Sequence, residues 1–410
     1  MNSSLNHAKH QNITIIKWLT YLMFMMFAMT TDAVGVIIPE VMKQFKLSMT
    51  AAGLMHYAPM IAIALSGILL GFLADKFGRK LTIILGLGLF ALNSYLFLLG
   101  NSFAYFLGLM VLSGTAIGVF KSAALALIGD ITKSSNEHTS TMNAVEGFFG
   151  VGAIIGPFLV TYLLKSGVDW KWLYIIAGTL CVLLIILALL VEYPKNKKNS
   201  AEKINLKATF SMLKDPFALG FSLAAFLYVA VECAIYVWMP TLIAGYGGNS
   251  IFFATYALTI FFVLRASGRF LGAWLLAKFN WSVIMTLFSV LIFICFLGSV
   301  VFGLEAAVIL LPLSGLFMSV IYPTINSKGI SCFPKVKHGS VAGIILFFTA
   351  SGAAIGPLLM GGVSDFFGHN AKYGFVLATI FSGLLFVGFT INLIFNPTKK
   401  KILNLDISEY

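Results

Sequence analysis

Apolar residues fill this chain in runs of about 20 positions, broken by short polar stretches. Twelve runs stand out, at 15–38, 51–73, 81–99, 103–128, 142–164, 173–191, 217–243, 251–276, 283–302, 306–325, 341–363 and 374–395. A helix needs about 20 residues to cross a hydrocarbon core of roughly 30 Å. Lipid cannot satisfy an open backbone, so each run is expected to be a helix. The first run is too long for a signal-peptide core and lacks a cleavage-like flank, so it is expected to stay in the mature protein. The longest polar break follows the sixth run, opens near Pro194 and carries Lys195, Lys197, Lys198, Lys203, Lys207 and Lys214. It reads as a solvated tether. It divides the chain into a six-helix bundle over 1–192, a cytoplasmic linker over 193–215 and a second six-helix bundle over 216–410.

The two halves repeat. Gly152-Ala-Ile-Ile-Gly156-Pro157 in the fifth run matches Gly352-Ala-Ala-Ile-Gly356-Pro357 in the eleventh, 200 positions later. Pro39 and Pro240, Gly114 and Gly315, and Gly71 and Gly272 are each 201 apart. Parallel six-helix repeats, with a substrate site near the midplane, characterise one large class of secondary transporters.

Composition narrows the reading. Hydrophobic residues are 59% and charged residues 10% of the chain, where a soluble domain carries about 25% charge. A large soluble domain, a disordered chain and a collagen-like chain are excluded, and alternating barrel strands with a polar lumen do not fit. The net charge is +12. In a soluble protein that excess would point to nucleic acid. Here it follows from retention of basic loops in the cytoplasm, so the expected partners are the bilayer and a small solute, and no nucleic acid. With the N-terminus inside, and Lys17 at the inner edge of the first run counted with it, cytoplasmic segments hold 19 Lys and Arg, outer loops 5 and spans 3. Both termini are therefore expected in the cytoplasm, in a bacterial-type inner (plasma) membrane. Cys181, Cys233, Cys295 and Cys332 lie in apolar stretches without metal or redox spacing, and read as small buried residues.

The loop after the second run reads Gly71-Phe-Leu-Ala-Asp75-Lys76-Phe-Gly78-Arg79-Lys80. Gly78 permits a tight turn, Arg79 and Lys80 anchor it inside, and Asp75 can latch onto a cation or a helix N-terminus. The loop resembles the cytoplasmic signature of the major facilitator superfamily, Gly-x-x-x-Asp-Arg/Lys-x-Gly-Arg-Arg/Lys. With the twelve runs, the linker and the repeats, the resemblance covers the whole chain. It implies an all-α membrane protein, with twelve transmembrane helices in two pseudo-symmetric six-helix bundles working by alternating access. Gly268-Arg269-Phe-Leu-Gly272 echoes the loop, with Leu276 where the acid would fall.

A closer resemblance is to the fucose/glucose/galactose:proton symporter branch. It rests on Gly315-Leu-Phe-Met-Ser319-Val-Ile-Tyr322-Pro323-Thr324-Ile-Asn326 and Tyr228-Val-Ala-Val-Glu232-Cys-Ala-Ile-Tyr-Val-Trp238-Met-Pro240, and implies proton-coupled sugar uptake. Gly152-x-x-x-Gly156-Pro157 also resembles part of the span-five motif of drug/proton antiporters, although Val160 and Thr161 replace its closing glycines. The bland reading is close helix packing by small residues.

Charges inside the spans are costly and mark function or internal ion pairs. Asp32, Glu146 and Glu232 are candidate proton-coupling acids, and Asp32 and Glu232 lie 200 positions apart in spans one and seven. The resemblance favours Asp32. Lys121 and Arg265 are candidate substrate ligands or partners of these acids; as ligands they would favour an acidic sugar. Tyr322, Asn326, Trp238 and Asn143 are candidate cavity groups, because aromatic faces stack on sugar rings and amides match hydroxyls. No Walker loop, nucleophilic triad or metal cluster appears in the sequence. The expectation is a monomeric transporter and not an enzyme, with the proton as coupling ion and no cofactor. Proton-driven efflux of drugs or metabolites is the alternative. A non-transporting sensor is the remaining possibility, and tails of about 15 residues leave it no room for an output domain of ordinary size.

Overall fold

A computed structural model describes residues 2–132, 135–194, 211–334 and 337–408. Most of the linker, with Lys195, Lys197, Lys198, Lys203 and Lys207, lies outside the described residues. Among the described residues the chain is helical with no strand. It forms two compact units, Met1–Lys46 with Leu54–Ala201, and Leu47–Gly53 with Glu202–Tyr410.

The first unit contains α1 (Asn2–Thr31) and α2 (Val34–Phe45). Between it and the next helix comes α3 (Met49–Ala52), which clusters with the second unit. The first unit continues with α4 (Leu54–Leu69), α5 (Leu73–Lys76), α6 (Arg79–Leu96), α7 (Phe103–Ile131), α8 (Ser135–Lys165) and α9 (Trp172–Leu190). Helix α1 packs on α8, α4 on α7, and α6 on both α7 and α9. Phe27 sits at the centre, with ring centroids 4.9 Å from Phe90 and 4.7 Å from Phe120.

The second unit contains α10 (Pro216–Cys233), a π-helical turn at Ala234–Trp238, α11 (Met239–Ile243), α12 (Ile251–Thr255), α13 (Ala257–Lys278), α14 (Trp281–Phe302), α15 (Leu304–Met318), α16 (Ile321–Ser331), α17 (His338–Phe366), α18 (Ala371–Phe395) and α19 (Pro397–Ser408). The pairings of the first unit recur: α10 packs on α17, α13 on α15, and α14 on both α15 and α18. The repeated glycines stand at these crossings. A Cβ at Gly152 or Gly156 would overlap the Met25 or Met29 carbonyl of α1. At Gly352 it would lie 2.6 Å from the Phe226 carbonyl oxygen, and at Gly356 2.5 Å from the Ala230 Cβ. Small residues four apart thus seat the fifth helix of each unit on the first.

Eleven described segments are long and apolar enough to cross a membrane. The third expected span, 81–99, is α6, an 18-residue helix whose first turn holds Arg79 and Lys80 and is less apolar for it. Spans one, two, seven, eight and ten are not continuous α-helices; span two turns at Gly53 and at 70–72, and span eight at Tyr256. Span one breaks at Asp32–Ala33, where the Thr30 and Thr31 hydroxyls both donate to the Phe27 carbonyl, at 2.9 and 3.2 Å. Such back-bonding competes with the helical ladder and bends helices. Span ten breaks at Ser319–Val320, because Pro323 has no N–H for the carbonyl four residues earlier. In span seven the Met239 N–H is shared between the Ala234 and Ile235 carbonyls, directly before Pro240, which has no N–H for the Tyr236 carbonyl four residues earlier.

Candidate functional site

Each unit carries an intramembrane charge cluster at a helix irregularity. In the first unit Asp32 lies in the break between α1 and α2, just ahead of the first turn of α2, where unsatisfied amides favour negative charge. Lys121 on α7 interacts electrostatically with both Glu146 of α8 and Asp32. Its ammonium lies 5.2 Å from the centroid of the Phe149 ring. Asp32 and Lys121 are half-buried, and Glu146 is exposed on the surface of this unit. The three charges expected from the sequence are therefore one group, with one cation facing two acids.

In the second unit Glu232 is the second-last residue of α10, directly before the π-helical turn. Its carboxylate meets the Arg265 guanidinium of α13 at 2.5 Å. The Tyr228 hydroxyl lies 2.9 Å from Glu232 Oε1 and 2.9 Å from the Met318 carbonyl, at the span-ten break. Tyr228 and Tyr322 stack at 6.4 Å. A buried ion pair is secure only when its remaining lone pairs are also satisfied, and Tyr228 performs that role here. Residues of α10 and α13 thus meet at one carboxylate, and Tyr228 ties it to the end of α15. Protonating it would remove the charge that holds Arg265.

The signature loop forms its own network in the first unit. Gly78 adopts φ 92°, a region that side chains other than glycine rarely enter. That turn lets Arg79 reach Asp75 at 2.6 Å and Asp130, at the end of α7, at 3.0 Å. Burial works against the Arg79 charge, but its bonds to Asp75 and Asp130 outweigh this and hold its pKa above the ordinary guanidinium value. Lys80 donates to the Leu189 and Val191 carbonyls at 3.0 and 2.8 Å, capping the C-terminal end of α9 where a cation is favoured. Gly71 precedes α5 and Asp75 lies within it.

Trp238 is 1% exposed, and its indole N–H donates to the Pro357 carbonyl at 2.9 Å. It lies among packed side chains of the second unit, tying the π-helical turn to α17. Asn143 is exposed on α8, and Tyr322 and Asn326 are half-buried on α16. Sequence reasoning passed over Tyr228, the Met318 carbonyl and Asp130 as functional groups. Tyr228 had a signal, since residues four apart on a helix are neighbours. The Met318 carbonyl and the Arg79–Asp130 pair are tertiary, and no local spacing marks them. Among the described residues no group of three or more His, Cys, Asp or Glu could hold a metal ion.

The family profile described as Major Facilitator Superfamily matches residues 20–357. The L-fucose-proton symporter of Escherichia coli (strain K12) is 25% identical over 389 residues, covering 85% of this chain and 86% of that protein. The quinolone resistance protein NorA of Staphylococcus aureus (strain COL) is 27% identical over 350 residues, covering 80% of this chain and 84% of that protein. The crystal structure of the nucleoside transporter NupG superposes with a TM-score of 0.72 at 15% identity, covering 93% of this chain and 99% of that one. At that identity the superposition speaks for the fold alone.

Proposed function

Because the chain belongs to the Major Facilitator Superfamily and is a multi-pass membrane transporter, we propose that it carries out proton-coupled uptake of a sugar or sugar-like solute, sugar acids included. The observation that carries the reading is the placement of the two acids. Asp32 and Glu232 each lie in a transmembrane helix, each at an irregularity, and each within reach of a cation. A carboxylate so placed can exchange a proton for its cation's company, loading on one side and releasing on the other as the helices rearrange. Similarity to the L-fucose-proton symporter supports both the ion and the solute class. Lys121 and Arg265 would then serve twice, neutralising the deprotonated acids and drawing in an acidic solute.

Efflux is the second reading, and the similarity to NorA favours it. Proteoliposomes separate the two. Under an inward proton gradient a symporter accumulates solute and an antiporter depletes it. Asp32→Asn and Glu232→Gln should abolish uphill uptake yet spare counterflow, which needs no net proton movement. If both variants still concentrate solute with normal pH dependence, neither acid is the coupling site. Depletion of solute by the unmodified protein would replace uptake with efflux.

A further inference from the structure

The second unit carries an apolar groove of about 430 Å³ between α10, α14 and α18, closed at one end by the start of α19. Its wall along α10 runs from Phe217 to Leu227, about 15 Å at the helical rise per residue. That is one leaflet of a hydrocarbon core roughly 30 Å thick. The concavity is made by glycine. A Cβ at Gly220 or at Gly388, both in the lining, would meet nothing within 4 Å, so larger residues would occupy the groove itself.

The closed end is polar and basic. Thr398 donates to Asn392 at 2.6 Å. Lys401 lies 5.3 Å from the centroid of the Phe217 ring and 5.9 Å from that of Phe333. Lys328 lies 5.7 Å from the centroid of the Trp281 ring. Phe217 and Trp281 are walls of the groove, so two ammonium groups are held at its rim by the rings that line it. Asp215 stands 3.7 Å from Lys401 and offsets part of that charge, while Lys214, Lys399 and Lys400 flank the same end in sequence. A single-leaflet apolar slot under a basic rim matches one ligand chemistry, an acyl chain joined to an anionic headgroup.

We propose that this groove binds one anionic phospholipid of the cytoplasmic leaflet, with an acyl chain against Gly220 and Gly388 and its phosphate on Lys328 and Lys401. The test uses the full chain in phosphatidylcholine vesicles doped with dibrominated phosphatidylglycerol or dibrominated phosphatidylcholine. Quenching of Trp281 is taken as the difference between the unmodified protein and Trp281→Phe. Half-maximal quenching is expected at a fraction of phosphatidylglycerol lower than that of phosphatidylcholine, by about 5-fold if one lysine acts and roughly 30-fold if both do. Lys328→Ala combined with Lys401→Ala should erase the preference. Gly388→Leu, or Gly220→Leu where the first does not stay monodisperse, should suppress quenching by both lipids. Equal quenching by the two lipids in the unmodified protein overturns the proposal, as does a preference that survives loss of both lysines.

Discussion

Replacing Gly352 by alanine tests whether the repeated glycines exist to seat helix on helix. A Cβ at this position would lie 2.6 Å from the Phe226 carbonyl oxygen, against at least 3.4 Å for ordinary contact. Helices α10 and α17 must therefore part by about 0.8 Å, or Phe226 must shift its backbone. Forcing extra atoms into a packed interface costs about 1–3 kcal/mol. The same substitution gains about 1 kcal/mol of helix propensity, which would mask part of the cost. Gly362 supplies the control, because it lies on the same helix and a Cβ there meets nothing within 4 Å. Gly352→Ala and Gly362→Ala share the propensity gain, so their difference isolates the steric cost. Reversible unfolding in mixed micelles should show Gly352→Ala less stable than Gly362→Ala by about 1–3 kcal/mol, a roughly 5- to 150-fold change in the unfolding constant. Equal stabilities, within about 0.5 kcal/mol, the spread of ordinary surface substitutions, would refute the packing role and return the motif to a direct part in transport.

Three further outcomes are expected. Asp75→Asn should slow turnover while leaving equilibrium solute binding unchanged, since Asp75 is 53% exposed and its ion pair adds little stability; Asp130→Asn, which strips the less exposed partner of Arg79, should cost about 1–3 kcal/mol in a melt. Equal losses of binding and turnover in Asp75→Asn would reveal a folding defect in place of a gating one. For topology, a membrane-impermeant maleimide should label Lys372→Cys in intact cells and Lys278→Cys only after permeabilisation; labelling of Lys278→Cys from outside would invert the orientation.

The spans were legible because lipid demands long apolar runs and permits few alternatives. The helix of span three, α6, starts two residues ahead of its apolar run, on Arg79 and Lys80. The repeat was legible because glycines at helix crossings cannot drift without collision. The break at Asp32 was not, since Pro39 lies inside α2 and the cause is a pair of threonine hydroxyls bonding back to Phe27. The break in span ten could have been read from Pro323. The site was half legible. Costly charges announced Asp32, Lys121, Glu146, Glu232 and Arg265, but which acid meets which cation depends on helices distant in sequence. One clue to the π-helical turn was present in the spacing. Asp32 precedes its proline by seven residues and Glu232 by eight.

That surplus residue has a mechanical consequence. In an unbroken α-helix an extra residue would turn everything beyond it by about 100°. Span seven takes up the surplus in one wide turn, as π-bulges do within α-helices, so the helix on either side keeps its azimuth. Such slack is transferable along the helix. If the wide turn slides by a few residues toward the N-terminus, the side chains it passes rotate by about 100° and both ends stay in place. Glu232 is the first acidic residue in that path. The carboxylate held by Arg265 and Tyr228 thus stands where its own helix can re-aim it without displacing the rest of the bundle.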